Sequence, residues 1–213
     1  MAVKRLKKNR SELRNLVLKQ AAKAFFSQGI RTVHMDDIAA SLSISKRTLY
    51  ELFHDKQQLL LEVLCFQRNE MHAHMEKIAS KAENALEVIF AFYEKKSSEL
   101  CEMNPAFFRD LKRYPEVLEF LRQEQRSSDK AAVEHFRQGV EQGIFRKDIN
   151  FDIITKAMSM QLDVLVYSDL TDSYPLTEIY SEITILHMRG ITTEKGACIV
   201  DRFLQTVRGK NMN

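Results

Sequence analysis

Residues 32–56 read TVHMDDIAASLSISKRTLYELFHDK, and this stretch decides the fold. Its apolar residues recur at helical spacing in two short runs, one ending near Leu42 and one beginning after Ser45. The pair Ser43-Ile44 predicts a tight turn between them, and Ser45 is a good N-cap for the second run, as Thr32 is for the first. Two short helices joined by such a turn form a helix-turn-helix, which we place at about residues 34–53.

The two faces of this segment predict different roles. Its apolar side chains would form a small internal core: Ile38, Ala39, Leu42, Ile44 and Leu49. Its polar, basic and aromatic side chains would stay exposed on the second helix: Lys46, Arg47, Thr48 and Tyr50. A helix is slim enough to enter the major groove of DNA, and these side-chain types suit contacts with phosphates and base edges. The alternative is an ordinary helical hairpin with a solvated face.

Working outward from this segment, the pattern remains helical throughout. Helices are predicted at about residues 11–28, 33–41, 46–52, 55 to the seventies, 83–102, 105–113, 115–141, 151–169, 176–189 and 194–208. Ser11 is the expected N-cap of the first. Pro105, Pro115 and Pro175 precede helices, whereas Gly29, Gly143 and Gly190 follow them. With no convincing strand alternation, the sequence predicts an all-α protein.

Composition and charge narrow the class of protein. Residues 1–60 hold 12 Lys and Arg against 5 Asp and Glu, a net +7, whereas residues 61–213 hold 20 against 24, a net −4. A basic first quarter on a mildly acidic body favours a polyanion-binding module, although a solvated basic tail has the same charge. No apolar stretch is long enough to span a membrane, and no signal peptide is apparent, so we expect a cytoplasmic protein.

Other sites are not indicated by the residues. Cys65, Cys101 and Cys198 are odd in number and widely spaced, which argues against disulfides and a zinc site and favours a reducing compartment. His72 and His74 point to different faces of a predicted helix and form no metal geometry with Cys65. Phosphate-binding loops and nucleophile motifs are absent from the sequence. We therefore expect no catalytic residue, metal or cofactor, and no enzyme.

The helix-turn-helix segment resembles the DNA-binding domain of the tetracycline-repressor (TetR) family. The matching residues are Phe25, Gly29, Thr32, Val33, Ile38-Ala39, Ile44-Ser45, Thr48-Leu49-Tyr50, Phe53, Lys56 and Leu59. The resemblance covers about residues 11–60 and is highly specific there; the remainder matches by length, helical content and the break at Gly190-Ile191-Thr192-Thr193. The sequence departs at Ser43 and Arg47, where the family often has glycine. Ser43 costs some stability if its φ is positive.

The resemblance implies a role for ten residues at the DNA. Thr32 and the amides near it, at Val33 and His34, would hold a phosphate, and Tyr50 and Lys56 would contact the DNA backbone. Lys46, Arg47 and Thr48 would reach base edges, with Arg47 able to bind guanine through two hydrogen bonds. Ser45 and His54 complete the set. The basic arm at residues 4–10 either follows the DNA or is disordered.

The resemblance also implies two domains and a ligand. Residues 1–57 would form the DNA-binding domain and residues 58–213 a helical domain for ligand sensing and dimerisation. A homodimer would place two recognition helices about 34 Å apart on a palindromic operator in double-stranded DNA. The apolar stripes of 151–169, 176–189 and 194–208 are dimerisation candidates, unless they only fill the core of the monomer.

A ligand pocket in the second domain would be lined by aromatic, methionine and a few polar residues, which suits a hydrophobic or amphipathic small molecule. The candidates are Phe66, Met71, Phe90, Tyr93, Phe107, Phe108, Tyr114, Met158, Met160, Gln161 and Tyr167. Such residues are also ordinary core. The sequence thus predicts a ligand-released transcriptional repressor. The alternatives are a DNA-associated factor whose C-terminal domain binds a protein partner, and an all-helical enzyme.

Overall fold

Helices account for nearly all of the regular structure in a computed structural model of the chain, which describes the backbone of residues 2–210 and the side chains of residues 10–126 and 131–207. The helices are α1 (Ala2–Gln28), α2 (Met35–Ser41), α3 (Lys46–Leu52), α4 (Lys56–Ala79), α5 (Ala85–Cys101), α6 (Ala106–Leu111), α7 (Pro115–Glu141), α8 (Phe151–Ser159), α9 (Gln161–Tyr167), α10 (Leu170–Ser173), α11 (Leu176–Ile191) and α12 (Glu194–Lys210). Within residues 2–210, extended pairing is limited to an isolated antiparallel bridge between Phe145 and Thr192. The predicted all-α fold is confirmed.

Most helix boundaries match the sequence, and the differences have local causes. Helix α1 begins at Ala2, so Ser11 lies inside it and is not its N-cap. The helix predicted at 151–169 is interrupted at Met160, which ends α8 and precedes α9. Gly190 lies within α11, which ends at Ile191, so the prediction that this glycine ends the helix is wrong. Gly29 and Gly143, with φ values of +86° and +69°, do follow helix ends as predicted.

The chain divides into two compact units. The first contains the chain up to His72 together with Glu102–Glu119, and the second contains Ala73–Cys101 and the chain from Phe120 onward. Helix α4 runs continuously through residue 57, where the sequence suggested a functional boundary. That functional division stays a prediction, because compactness does not assign roles.

The first unit is built around α1. Val17, Ala21 and Phe25 of this helix are fully buried. Helix α6 packs on the end of α1, where the Phe107 ring meets Phe26 edge-on at 5.0 Å between centroids. The Asn104 amide donates to the Phe26 carbonyl at 2.7 Å. These contacts make residues 102–119 part of the core that supports α2 and α3.

The second unit has an aromatic core. The rings of Phe90 and Phe203 stack at 3.9 Å, and Tyr93 meets Phe203 edge-on at 5.8 Å. Tyr93 also shares a 2.7 Å hydrogen bond between its hydroxyl and the Ser181 hydroxyl. These contacts join α5, α11 and α12.

A second aromatic group in this unit packs around Gly139 of α7. Phe136 stacks on Phe151 at 4.8 Å and meets Phe145 edge-on at 5.4 Å. Gly139 is buried, and a Cβ atom placed on it would lie 2.1 Å from the Phe145 ring. The close approach of this ring therefore requires glycine at position 139.

Candidate nucleic-acid interface

Helices α2 and α3 and the turn between them have the predicted helix-turn-helix form. The turn is closed by two backbone hydrogen bonds, from the Ser43 amide to the Ala40 carbonyl and from the Ile44 amide to the Ala39 carbonyl, each 3.0 Å long. Ser43 has φ +53°, the left-handed conformation that favours glycine. The Ser45 hydroxyl accepts from the Thr48 amide at 3.0 Å, so Ser45 is the N-cap of α3 as predicted.

The two faces of α3 differ sharply. Leu49 and Leu52 are buried in the first unit, whereas Lys46, Arg47 and Tyr50 are exposed. Arg47 is the most open of these, with 88% of its side chain accessible. Thr48 is half-buried, and its hydroxyl lies 2.8 Å from that of Ser45. The helix therefore presents one aromatic and two cationic side chains outward, from a firmly packed inner face.

Each exposed cation of α3 is paired with a carboxylate. Lys46 forms an ion pair with Asp36 of α2, and the hydrogen bond to this carboxylate raises the pKa of Lys46. The Arg47 Nε donates to Glu51 Oε1 at 2.9 Å, one turn further along α3. Both cations are therefore exposed, and each lies within ion-pair distance of a carboxylate.

The segment before α2 is used differently from the prediction. The Thr32 hydroxyl donates to the Gln28 carbonyl at 2.7 Å, so Thr32 closes α1 and is not the N-cap of α2. That cap is His34, whose amide donates to the Asp37 carboxylate at 2.9 Å. The His34 side chain is exposed, whereas the Val33 side chain is buried. Val33 can thus meet a phosphate only through its backbone.

Lys56 and His54 lie at the start of α4. The Lys56 ammonium is 3.4 Å from the Arg31 carbonyl, and partial burial lowers the pKa of this lysine. The His54 ring is exposed, and its backbone amide donates to Gln58 at 2.7 Å. Lys56 therefore sits against the residues that precede α2, on the same unit as α3.

Two arginines of α1 hold the end of α3: Arg14, which the sequence analysis did not single out, and Arg10, the last residue of the predicted basic arm. Arg14 donates to the Leu52 carbonyl at 2.8 Å, forms an ion pair with Glu62 and lies 4.4 Å above the Phe53 ring. Arg10 donates to the Glu51 carbonyl at 3.0 Å. No sequence motif signals these contacts, because they join residues about 40 positions apart. The side chains of residues 4–9, the rest of the basic arm, lie outside the described residues.

The eleven candidates for the ligand pocket are divided between the two units. Phe66, Met71, Phe107, Phe108 and Tyr114 lie in the first, and Phe90, Tyr93, Met158, Met160, Gln161 and Tyr167 in the second. The structure brings Phe90 and Tyr93 together around Phe203. Phe107, in contrast, packs against Phe26 of α1. Phe90 also lines an open groove of about 390 Å³ together with Asn84, Glu87, Ile199, Arg202, Phe203 and Thr206.

Large apolar side chains of the second unit are exposed on α8, α9 and α11 and at the break between α8 and α9. Ile153, Met160 and Tyr167 follow each other at intervals of seven residues along α8 and α9, and each is more than half exposed. Leu186 of α11 is 73% exposed. We call these four residues the apolar stripe. An isolated subunit thus leaves considerable apolar surface uncovered on helices predicted for dimerisation.

A helix-turn-helix with a cationic outer face, carried on an all-α chain, defines the class of helix-turn-helix DNA-binding proteins. Residues 17–63 match the model for bacterial regulatory proteins of the tetR family. The matched segment, which contains α2 and α3, is thus that of a TetR-family DNA-binding domain. No curated protein matches the chain by sequence.

Solved structures support the fold over most of the chain. A TetR-family regulator from Agrobacterium tumefaciens is 14% identical with a TM-score of 0.68, covering 86% of this chain and 100% of its own. A ketosteroid transcriptional regulator of Mycobacterium tuberculosis is 22% identical with a TM-score of 0.55, covering 85% and 95%. A regulator from Saccharomonospora viridis, solved in complex with choline, is 21% identical with a TM-score of 0.59, covering 86% and 100%.

None of the helices in the described part of the chain is both long and apolar enough to cross a membrane.

Proposed function

We propose that this regulator is a homodimeric repressor that binds a palindromic operator through α3 and leaves it when a small hydrophobic or amphipathic ligand binds the second unit. One observation carries the DNA-binding part of the proposal: α3 exposes Lys46, Arg47 and Tyr50 while Leu49 and Leu52 anchor its other face. Long cationic side chains on a rigid helix can reach base edges and phosphates without unfolding their support.

The operator contact is tested with Arg47→Ala and Tyr50→Ala. A duplex recovered from a random pool by the wild-type protein is the probe, and fluorescence anisotropy gives the affinity. Losing a guanine contact costs about 1–3 kcal/mol at each half-site, so a dimer should lose at least about thirtyfold in affinity. Arg137→Ala is the matched control, because Arg137 is exposed and paired with Glu134 in the second unit. Unchanged affinity in both α3 variants would refute the assignment.

The apolar stripe supports the dimer. Stable interfaces bury apolar side chains of this size, and a monomer would leave them in water. Replacing Met160 and Leu186 together by Glu should convert the dimer to a monomer in analytical ultracentrifugation, because charges would enter the interface. Lys81→Glu, an exposed site in the loop after α4, is the control. A double variant that sediments like the wild type would exclude this surface from the interface.

Release by a ligand rests on the groove beside Phe90 and on the aromatic contacts around Phe203. A ligand acts only through a difference in its affinity for the DNA-bound and the released conformations. Compounds that raise the melting temperature of the protein should therefore be tested for release of labelled operator. A compound that stabilises the protein and displaces the operator supports the proposal, whereas stabilisers that never change operator affinity contradict it.

The second candidate function is a DNA-associated factor whose C-terminal domain binds a protein partner. The observation in its favour is the same apolar stripe, which would then be free for another protein. Sedimentation of the wild-type protein distinguishes the hypothesis of a repressor from that of a partner-binding factor. A dimer in which the stripe is covered favours the repressor, and a monomer that binds the operator favours the partner protein.

A further inference from the structure

Two carboxylates stand on the same surface as the cations of α3. Asp36, in the first turn of α2, pairs with Lys46, and Glu51, in the last turn of α3, pairs with Arg47. Their side chains are 50% and 57% exposed, so both are open to solvent and to any DNA that meets α3. Negative charges at this position oppose the attraction between the first unit and the phosphates.

The capping of α2 and the packing of α3 do not depend on these carboxylates. Asp37, not Asp36, accepts from the amide of the N-cap residue His34. Glu51 lies four residues after Arg47 on an exposed helix face, where an ion pair contributes little to stability. The inner face of α3 is fixed by Leu49 and Leu52 instead. The carboxylates instead affect where Lys46 and Arg47 lie and how readily these two cations can reach DNA.

The pairs change how the cations can meet DNA. Non-specific binding is supplied by cations that reach phosphates, and a paired cation must first leave its carboxylate. The carboxylate is then left unpaired close to the phosphates, which adds repulsion. At a matching operator, hydrogen bonds to base edges replace the lost pair, and a carboxylate can itself accept from the amino group of cytosine. The cost therefore falls more heavily on non-matching DNA.

We propose that Asp36 and Glu51 are specificity-determining residues, which hold Lys46 and Arg47 back from phosphates and so weaken binding to non-matching DNA more than to the operator. This proposal rests on the proposed function of α3 as the recognition helix. In this proposal the two cations favour binding to the operator, and the two carboxylates disfavour binding to non-matching DNA. Both effects contribute to specificity.

The test uses Asp36→Asn, Glu51→Gln and the double variant in the full chain. Each removes a charge but keeps the size of the side chain. Asp201→Asn is the matched control, because Asp201 pairs with Arg189 at 2.7 Å in the second unit and is exposed to a similar degree. The probes are a duplex selected from a random pool by the wild-type protein and a scrambled duplex of the same length. Affinities are measured from roughly 50 to 300 mM NaCl, where phosphate contacts weaken steeply with salt.

In the double variant we expect affinity for the scrambled duplex to rise about tenfold with a steeper salt dependence, and affinity for the operator to change less than about threefold. The ratio of the two affinities therefore falls, whereas Asp201→Asn leaves it unchanged. An equal rise on both duplexes, or no rise on either, would overturn the proposal. Should Asp36→Asn fail to fold, Glu51→Gln alone decides in the same way. A wild-type protein that selects no duplex would instead refute the proposed function, before any variant is compared.

Discussion

Ser43 offers the sharpest test of how the turn between α2 and α3 is held. Its φ of +53° places an L-residue in the left-handed region, and its side chain is exposed. Ser43→Gly keeps the amide that donates to the Ala40 carbonyl at 3.0 Å and removes the Cβ that disfavours this conformation. We therefore expect Ser43→Gly to stabilise the protein.

The size of the effect follows from two opposing contributions. The left-handed conformation costs an L-residue about 1–2 kcal/mol. Glycine also loses more backbone entropy on folding than serine does. This entropy loss offsets roughly 0.5–1 kcal/mol of the stabilisation obtained by removing the Cβ. The net increase in the free energy of unfolding is about 0.5–1 kcal/mol. For a chain of this length, that corresponds to a rise in melting temperature of roughly 1–4 °C.

Ser41→Gly, two residues earlier, provides a control of opposite sign. Ser41 is the last residue of α2, and its hydroxyl donates to the Ile38 carbonyl at 2.8 Å. Glycine is the poorer helix former by about 0.5 kcal/mol, so this variant should melt at a lower temperature than the wild type. Both are compared by calorimetry at one protein concentration, since dimer stability depends on concentration. If Ser43→Gly also melted lower, relief of backbone strain would be refuted.

Substitutions at three further positions test the packing within each unit. Gly139→Ala should destabilise the protein by about 2–3 kcal/mol, because the new Cβ would meet the Phe145 ring; an unchanged melting temperature would contradict this. Tyr93→Phe should cost about 1 kcal/mol in urea denaturation, through loss of the hydrogen bond to Ser181; equal midpoints would show that this bond contributes nothing. Arg14→Met should cost about 2 kcal/mol and weaken operator binding, because the last carbonyl of α3 loses its donor. Arg14→Lys, which keeps the charge without the planar guanidinium, should restore only part of that loss.

The helix-turn-helix could be predicted from sequence because its determinants are local. Ser45 caps α3 within four residues, and the helical spacing of the apolar residues predicted that Ile38 of α2 and Leu49 of α3 are buried. The prediction also anticipated that Ser43 would bear a cost if its φ were positive. Local signals of this kind predict where a helix lies and which of its faces is exposed. These two properties define most of the candidate interface.

Contacts between distant residues could not be predicted in the same way. Thr32 is a residue type that favours N-caps, but its hydroxyl donates to the Gln28 carbonyl of α1, and His34 is the N-cap of α2. Arg14 has no partner in its own neighbourhood and finds Leu52 and Phe53 only in the folded unit. Phe107 is an aromatic residue of the kind that lines ligand pockets, yet it packs on Phe26. Periodicity says which side of a helix is buried, but not what covers it.

The packing of α6 on α1 has a consequence for engineering hybrid regulators. The simplest design for exchanging recognition modules between two regulators is a single cut after the helix-turn-helix. Here that cut would leave Phe26 without Phe107 and the Arg31 amide without Asp110, which accepts from it at 2.7 Å. A functional chimera must therefore transplant two stretches of chain, the amino-terminal one and Glu102–Glu119, as a single matched set.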